Sequence, residues 1–291
     1  MYLATPGTNI DASLVKTIVK QRDPFTHKGD YGHACLFAGS IGLMGAAVLA
    51  VKACLRSGAG KVTAYTARIG YDILQVSAPE TMTKIAGENF ISSLEDIQKF
   101  DSLGIGPGMG IYESHKDLLL EIFTTFKKPM VVDADALNIV AQHKELLEKL
   151  PTGSVLTPHT VEFDRLFGKP GTGEDRNRLA IEMAKKYNLY IILKGHHTLI
   201  AAPHITENVG PAWYNTTGNA GMATGGSGDV LTGIITGLLA QHYTSLDACL
   251  LGVYLHGLAG DIAAEKFSQP AMIAGDIIDN LANAFKQLTA G

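Results

Sequence analysis

Short apolar runs, each closed by a glycine or polar cluster and then followed by a helical pattern, recur along this 291-residue chain. Residues 34–38 form such a run, closed by Gly39-Ser40-Ile41-Gly42 before an alanine-rich helical pattern over 45–57. Ser102–Ile105 runs into Gly106-Pro107-Gly108-Met109-Gly110 and then a helix reaching about Phe126. Residues 129–132 stop at Asp133 before a helix over 134–141, and residues 154–156 precede a helix over 161–167. An amphipathic pattern over 175–187 leads into Tyr190–Leu193, and residues 198–202 read as a further strand. Residues 61–65 add one more, and residues 229–288 read as mostly three helices. Strands that alternate with helices must be covered on both faces, so the chain predicts a three-layer α/β sandwich with a mainly parallel central sheet. Residues 1–28 offer only a short helix over 13–21, and no linker or change of composition divides the chain, so 1–291 reads as a single domain.

Composition removes several function classes. The formal charge is −4 with no basic run, which argues against nucleic acid as a partner because phosphate binding on that scale needs a basic face. The 32 glycines suit many tight strand-to-helix turns. Cys35, Cys54 and Cys249 are scattered, without metal-ligand spacing, and read as small buried apolar residues in a reducing compartment. Residues 1–9 lack the charged-then-apolar order of a leader, and the apolar stretch 46–55 is interrupted by Lys52. That stretch is too short to span a bilayer. The expectation is a soluble, cytoplasmic protein with no membrane association.

In parallel sheets ligands sit beyond the carboxyl ends of the strands, where these glycine and polar clusters fall. The most informative is Asn219-Ala220-Gly221-Met222-Ala223-Thr224-Gly225-Gly226-Ser227-Gly228-Asp229, which runs directly into an apolar helical pattern. A glycine turn at a helix N-terminus presents free N–H groups to an anion and leaves no side chain in the way. Asp229 places a carboxylate beside that anion as a proton acceptor; aspartate in a first helical turn is equally a stabilising feature. The helix terminus should lower its pKa, with phosphate charge pushing the other way. Asp133 and Asp135 put hard oxygen ligands after a strand, suited to Mg²⁺ through water, although a helix cap explains Asp135 as well. His159 and Glu162 follow the next strand. Lys194 is placed to neutralise phosphate, and Gly195 allows close approach. His196 and His197 should point to opposite sides of an extended chain, so no zinc site is expected there. His33 and His256 read as structural.

Together these motifs identify a family. Gly39-Ser40 with Gly45-Ala46-Ala47, Gly106-Pro107-Gly108, Asp133 to Asn138, Thr157-Pro158-His159 with Glu162, Lys194-Gly195 with Thr198, and the 225–233 segment resemble the ADP/ATP-dependent NAD(P)H-hydrate dehydratases of the ribokinase-like superfamily. The likeness runs from about Lys28 to about Leu288. It implies phosphorylation of the hydroxyl on hydrated NADH or NADPH by ADP or ATP, aided by Mg²⁺, followed by loss of phosphate. It implies Asp229 as the base and the N–H groups of Gly226, Ser227 and Gly228 as an anion hole. Nucleotide contacts would come from Lys194, Gly195, His196, His197, Thr198 and Gly228. Substrate contacts would come from Ala47 (or Ala46), Gly110, His159 and Asp229, and water-mediated metal contacts from Asp133 and Glu162. Ala220 stands where proline is frequent, Ser227 where threonine is, and Val161 where glycine is. The resemblance further implies a homo-oligomer, a tetramer, with the apolar terminal helices as an interface. The epimerase domain that many members carry is expected on a separate chain. The rival readings are a small-alcohol kinase of the same fold, such as a hydroxyethylthiazole kinase, and a nucleotide-binding regulator without catalysis.

Overall fold

The computed structural model describes residues 7–204 and 210–289. The strands are β1 (Thr8–Ile10), β2 (His33–Phe37), β3 (Lys61–Thr66), β4 (Met82–Ile85), β5 (Ser102–Ile105), β6 (Met130–Val132), β7 (Val155–Leu156), β8 (Tyr190–Leu193), β9 (Leu199–Ala201) and β10 (Ala212–Asn215). They form one ten-stranded sheet in the order β1-β10-β9-β8-β7-β6-β5-β2-β3-β4. All neighbouring pairs are parallel except those of β9 with β8 and with β10. The helices are α1 (Ala12–Ile18), α2 (Met44–Arg56), α3 (Arg68–Ser77), α4 (His115–Thr125), α5 (Ala134–Gln142), α6 (Thr160–Phe167), α7 (Gly173–Tyr187), α8 (Ser227–Ala240), α9 (Ser245–Phe267) and α10 (Ala274–Thr289).

Strand side chains alternate between two cores, as pleating requires. Cys35, Phe37, Leu103, Ile105, Met130 and Val132 face a core built with α4, α5, α6 and α7. Ala34 and Leu36 face α2 and α3, while Val131, Val155 and Ile192 face α8, α9 and α10. Because both faces are covered, central strands such as β5 and β6 are fully buried and read as unbroken apolar runs. The expected three-layer sandwich is the observed one, and the three cysteines are free and buried.

The sequence reading missed four elements. β4 is an edge strand with a mostly exposed pattern, so it carries no apolar period. β1 and β10 are short strands that pair with each other at the opposite end. The α3 pattern lies inside a stretch left unassigned. Every residue of α8 from Val230 to Ala240 is buried. The exposed large apolar residues include Ile69, Tyr71 and Val76 on α3 and Met82 and Ile85 on β4. By length and composition alone α9 could cross a membrane, but 67% of its apolar window is buried inside the protein, as in a core helix.

Two glycines fix where α8 lies. A Cβ on Gly233 would stand 2.1 Å from the Ala50 carbonyl oxygen of α2, and one on Gly237 would stand 2.0 Å from Ser57 Oγ. The α2 and α8 backbones therefore touch, and any side chain there would drive them apart at a cost of about 1–3 kcal/mol.

Candidate active site

The N-terminal end of α8 opens on a cavity of about 820 Å³ beyond the carboxyl ends of β6, β7 and β8. Its wall includes Asp133, His159, Lys194, Gly195, His196 and Thr198 from the loops after those strands, and Gly226, Ser227, Gly228 and Asp229 from the turn. Gly226 caps α8 with φ 91°, a left-handed conformation suited to glycine. The helix begins at Ser227, two residues ahead of the carboxylate. No residue side chain caps this terminus. The Ser227 amide reaches the Thr224 carbonyl at 3.4 Å, and Val230 bonds back to Gly226 at 3.1 Å. The amides of Gly226, Gly228 and Asp229 have no partner among the described residues and are available to an anion.

A charge network sits directly behind this turn. Lys194 Nζ donates to Asp133 Oδ1 at 3.0 Å and lies 3.9 Å from Glu162 Oε2. Thr232 Oγ donates to the other Asp133 oxygen at 2.7 Å. Asp133 is 1% exposed and makes no side-chain bond to the helix it precedes, so its carboxylate serves the lysine rather than a cap. Burial pulls the Lys194 ammonium down, but Asp133 and Glu162 together hold it above its ordinary value. Burial raises Glu162, with Lys194 opposing. Burial, and then the Asp133 charge, push Asp229 up to about 7, against Lys194. That overturns the expected depression: loss of water and surrounding carboxylates outweigh the helix terminus. A carboxylate held there is a competent base near neutral pH.

His159 and Glu162 serve α6 as well as the cavity. His159 Nδ1 accepts from the amides of Val161 at 3.1 Å and Glu162 at 3.4 Å, while Glu162 Oε2 accepts the His159 amide at 2.8 Å. This reciprocal capping box satisfies the helix terminus. With Nδ1 accepting, the ring proton lies on Nε2, and burial with the Lys194 charge lowers the histidine pKa. His159 lines the cavity as a neutral ring whose Nε2 lies 3.5 Å from Glu162 Oε1. His196 and His197 do not diverge as expected. They lie in a tight bend between antiparallel strands, with ring centroids 4.4 Å apart, because the bend has no extended geometry. His196 lines the cavity and His197 does not.

A family model described as NAD(P)H-hydrate dehydratase matches residues 34–283. The chain belongs to the NAD(P)H-hydrate dehydratase family. It is 40% identical over 290 residues to a bifunctional NAD(P)H-hydrate repair enzyme, Nnr, of Moorella thermoacetica, covering 96% of this chain and 54% of that protein. Thus the chain spans about half the length of the bifunctional relatives it matches. An ADP-dependent (S)-NAD(P)H-hydrate dehydratase of Bacillus subtilis is 34% identical over 275 residues, with 94% and 96% of the two chains covered. The crystal structure of a Bacillus subtilis ADP/ATP-dependent NAD(P)H-hydrate dehydratase, co-crystallised with ATP and Mg²⁺, superposes with TM-score 0.85 at 32% identity, over 98% of this chain and 100% of that one. A ribokinase-like superfamily protein of Enterococcus faecalis gives 0.82 at 28% identity, over 98% and 97%. The expected ribokinase-like fold is therefore the observed one.

Not every residue that the family resemblance singled out reaches the cavity. Ala47 is fully buried on α2, whereas Ala46 keeps some exposed surface. Gly110 lies outside the cavity wall, its amide donating to Asp135 Oδ2 at 2.9 Å. The loops after β2 and β5 knit to each other, with Ser40 Oγ donating to the Gly108 carbonyl at 2.9 Å. The cavity has a further wall that the sequence reading did not include, with Asn215, Thr217, Gly218, Val253, His256 and Gly257 among its residues. Asn215 holds its loop by donating to the Thr217 carbonyl at 2.9 Å, and Thr217 Oγ donates to the Tyr254 carbonyl at 3.0 Å. A polar run directly after the apolar Trp213-Tyr214 pair was the signal available for this wall.

Proposed function

We propose that the chain catalyses the ADP-dependent dehydration of hydrated NADH or NADPH, a repair reaction. The terminal phosphoryl group of ADP passes to the ring hydroxyl, AMP leaves, and the hydroxyl proton goes to Asp229. The ring C–O bond then breaks, inorganic phosphate departs, the adjacent carbon loses a proton, and NADH or NADPH is restored. The observation that carries this reading is Asp229, poised at about 7 next to the free amides of Gly226 and Gly228. Base and anion site thus share one turn, as phosphoryl transfer to an alcohol requires. The Lys194 to Thr198 bend would hold the nucleotide, closed by Thr198 Oγ donating to the Gly195 carbonyl at 3.3 Å. His159 and Asp229 would face the dinucleotide, with the Ala46–Ala47 and Gly110 region beside it.

Mg²⁺ fits this site only through water and nucleotide phosphates. Asp133 gives one oxygen to Lys194 and the other to Thr232, and Glu162 gives one to its helix cap. Among the described residues no group of three or more His, Cys, Asp or Glu is arranged to hold a metal. Asp133 and Glu162 would orient water in the ion's shell, and the ion would neutralise phosphate charge. We also infer a cytoplasmic homo-oligomer, a tetramer, for which the exposed apolar residues of α3 and β4 are the supporting surface. An epimerase acting upstream would feed the enzyme its reactive epimer.

Incubation with ADP, Mg²⁺ and hydrated NADH should restore the dihydronicotinamide absorbance, with AMP and phosphate formed in equal amounts. Asp229→Ala should keep ADP binding and lose turnover. Phosphorylation of a thiazole alcohol without recovery of that absorbance would refute the reading in favour of a kinase.

A further inference from the structure

His256, on α9, stands behind the phosphate turn and touches only one residue of it by hydrogen bonding. Its Nε2 lies 2.9 Å from the Ser227 carbonyl oxygen and 3.3 Å from Ser227 Oγ. A carbonyl only accepts, so the proton must be on Nε2. That settles the direction of the second contact: Ser227 Oγ cannot donate to a nitrogen that already carries hydrogen, and it accepts from it instead. No described carbonyl or carboxylate accepts the Ser227 hydroxyl hydrogen. Ser227 is 8% exposed and lines the cavity together with Gly226, Gly228 and His256. Burial lowers the His256 pKa to about 4, so the ring remains neutral through the working range and the donor arrangement does not switch.

We infer that His256 is a positioning residue that orients the Ser227 hydroxyl as a side-chain donor to the transferring phosphoryl group, beside the free amides of Gly226 and Gly228. This rests on the phosphoryl-transfer reading of the site and adds to it a donor and the residue that aims it. An alcohol O–H aimed at a phosphate oxygen is a charge-assisted hydrogen bond, and fixing the hydroxyl before the ligand arrives removes the cost of orienting it later. The Ser227 amide, already 3.4 Å from the Thr224 carbonyl, is the weakest of the backbone donors here, so the same residue contributes through its side chain instead.

The test is a mutant cycle read by calorimetric ADP affinity, with inorganic phosphate as a second probe, and by kcat and KM. Ser227→Ala should weaken ADP about tenfold or more, the scale of one hydrogen bond to a charged group. His256→Leu should weaken it similarly, and the double variant should be no worse than the poorer single one, because both remove the same donor. His256→Gln can return an amide N–H to the Nε2 position and should restore affinity to within a few fold. Additive losses in the double variant would overturn the inference, as would wild-type affinity in Ser227→Ala or a failure of glutamine to rescue. Ser227→Ala removes one buried oxygen and keeps the fold testable if His256→Leu unfolds. Affinity is measured without turnover, so an inert wild type would sink the dehydratase reading while this cycle still gave its answer.

Discussion

Replacing Asp229 with asparagine should make the protein more stable at neutral pH while abolishing turnover. The carboxyl group titrates near 3.8 in an ordinary setting and near 7 in the fold. Between those values the folded state holds a proton that the unfolded chain has released, so stability contributed by this group is complete below pH 3.8 and falls as pH rises through about 7. At 1.36 kcal/mol per pH unit, the span corresponds to roughly 4 kcal/mol lost by pH 8. Asparagine keeps the shape and carries no charge, so it escapes that loss. Urea unfolding of both proteins from pH 4 to pH 8 measures the difference: near zero at pH 4, then growing to a few kcal/mol in favour of Asp229→Asn. A difference that stayed flat with pH, or an aspartate protein more stable at pH 8, would show that Asp229 is not held against its preference and would remove the physical basis for a neutral base. The same group should give wild-type kcat/KM an ascending limb centred near pH 7.

Three further perturbations have defined outcomes. Thr232→Val removes the 2.7 Å donor to a carboxylate that is 1% exposed, and should cost about 1–3 kcal/mol in urea unfolding. Gly226→Ala places a Cβ 2.3 Å from Leu49 Cδ1 at a residue with φ 91°; it should destabilise by about 1–3 kcal/mol and lower kcat/KM at least tenfold, as steady-state kinetics and chemical denaturation would read. Chelation of Mg²⁺ should abolish turnover and leave the melting temperature of the nucleotide-free protein unchanged, since the Asp133 and Glu162 carboxylates are already satisfied by protein donors.

The layered architecture was legible because the clusters after β2, β5, β6 and β7 each separate a short apolar run from a helical pattern of period 3.6. The short strands at the two ends of the sheet were not legible: edge strand β4 has a mostly exposed pattern, and edge strand β1 takes its register from β10, some two hundred residues away. In the site, residue types and order identified the turn, Asp229, His159 and Lys194. Their electrostatics were hidden, because the rise in the Asp229 pKa comes from burial and from carboxylates brought together by three separate loops. Lys194 showed as a free cation in the sequence, and only folding pairs it with Asp133. His256 read as a lone structural histidine because its partner, Ser227, is 29 residues away.

The backbone contact of Gly233 and Gly237 with α2 has a consequence for how such an enzyme can change. Gly233 lies six residues from Ser227, about 9 Å along the helix axis, so the contact clamps α8 close to its working end. New acceptors cannot be accommodated by sliding or rotating that rod. Drift in specificity must be written into the surrounding loops, and a laboratory search for altered substrates should concentrate its diversity on the 194–198 bend and the 215–219 segment while leaving the α2–α8 seam untouched.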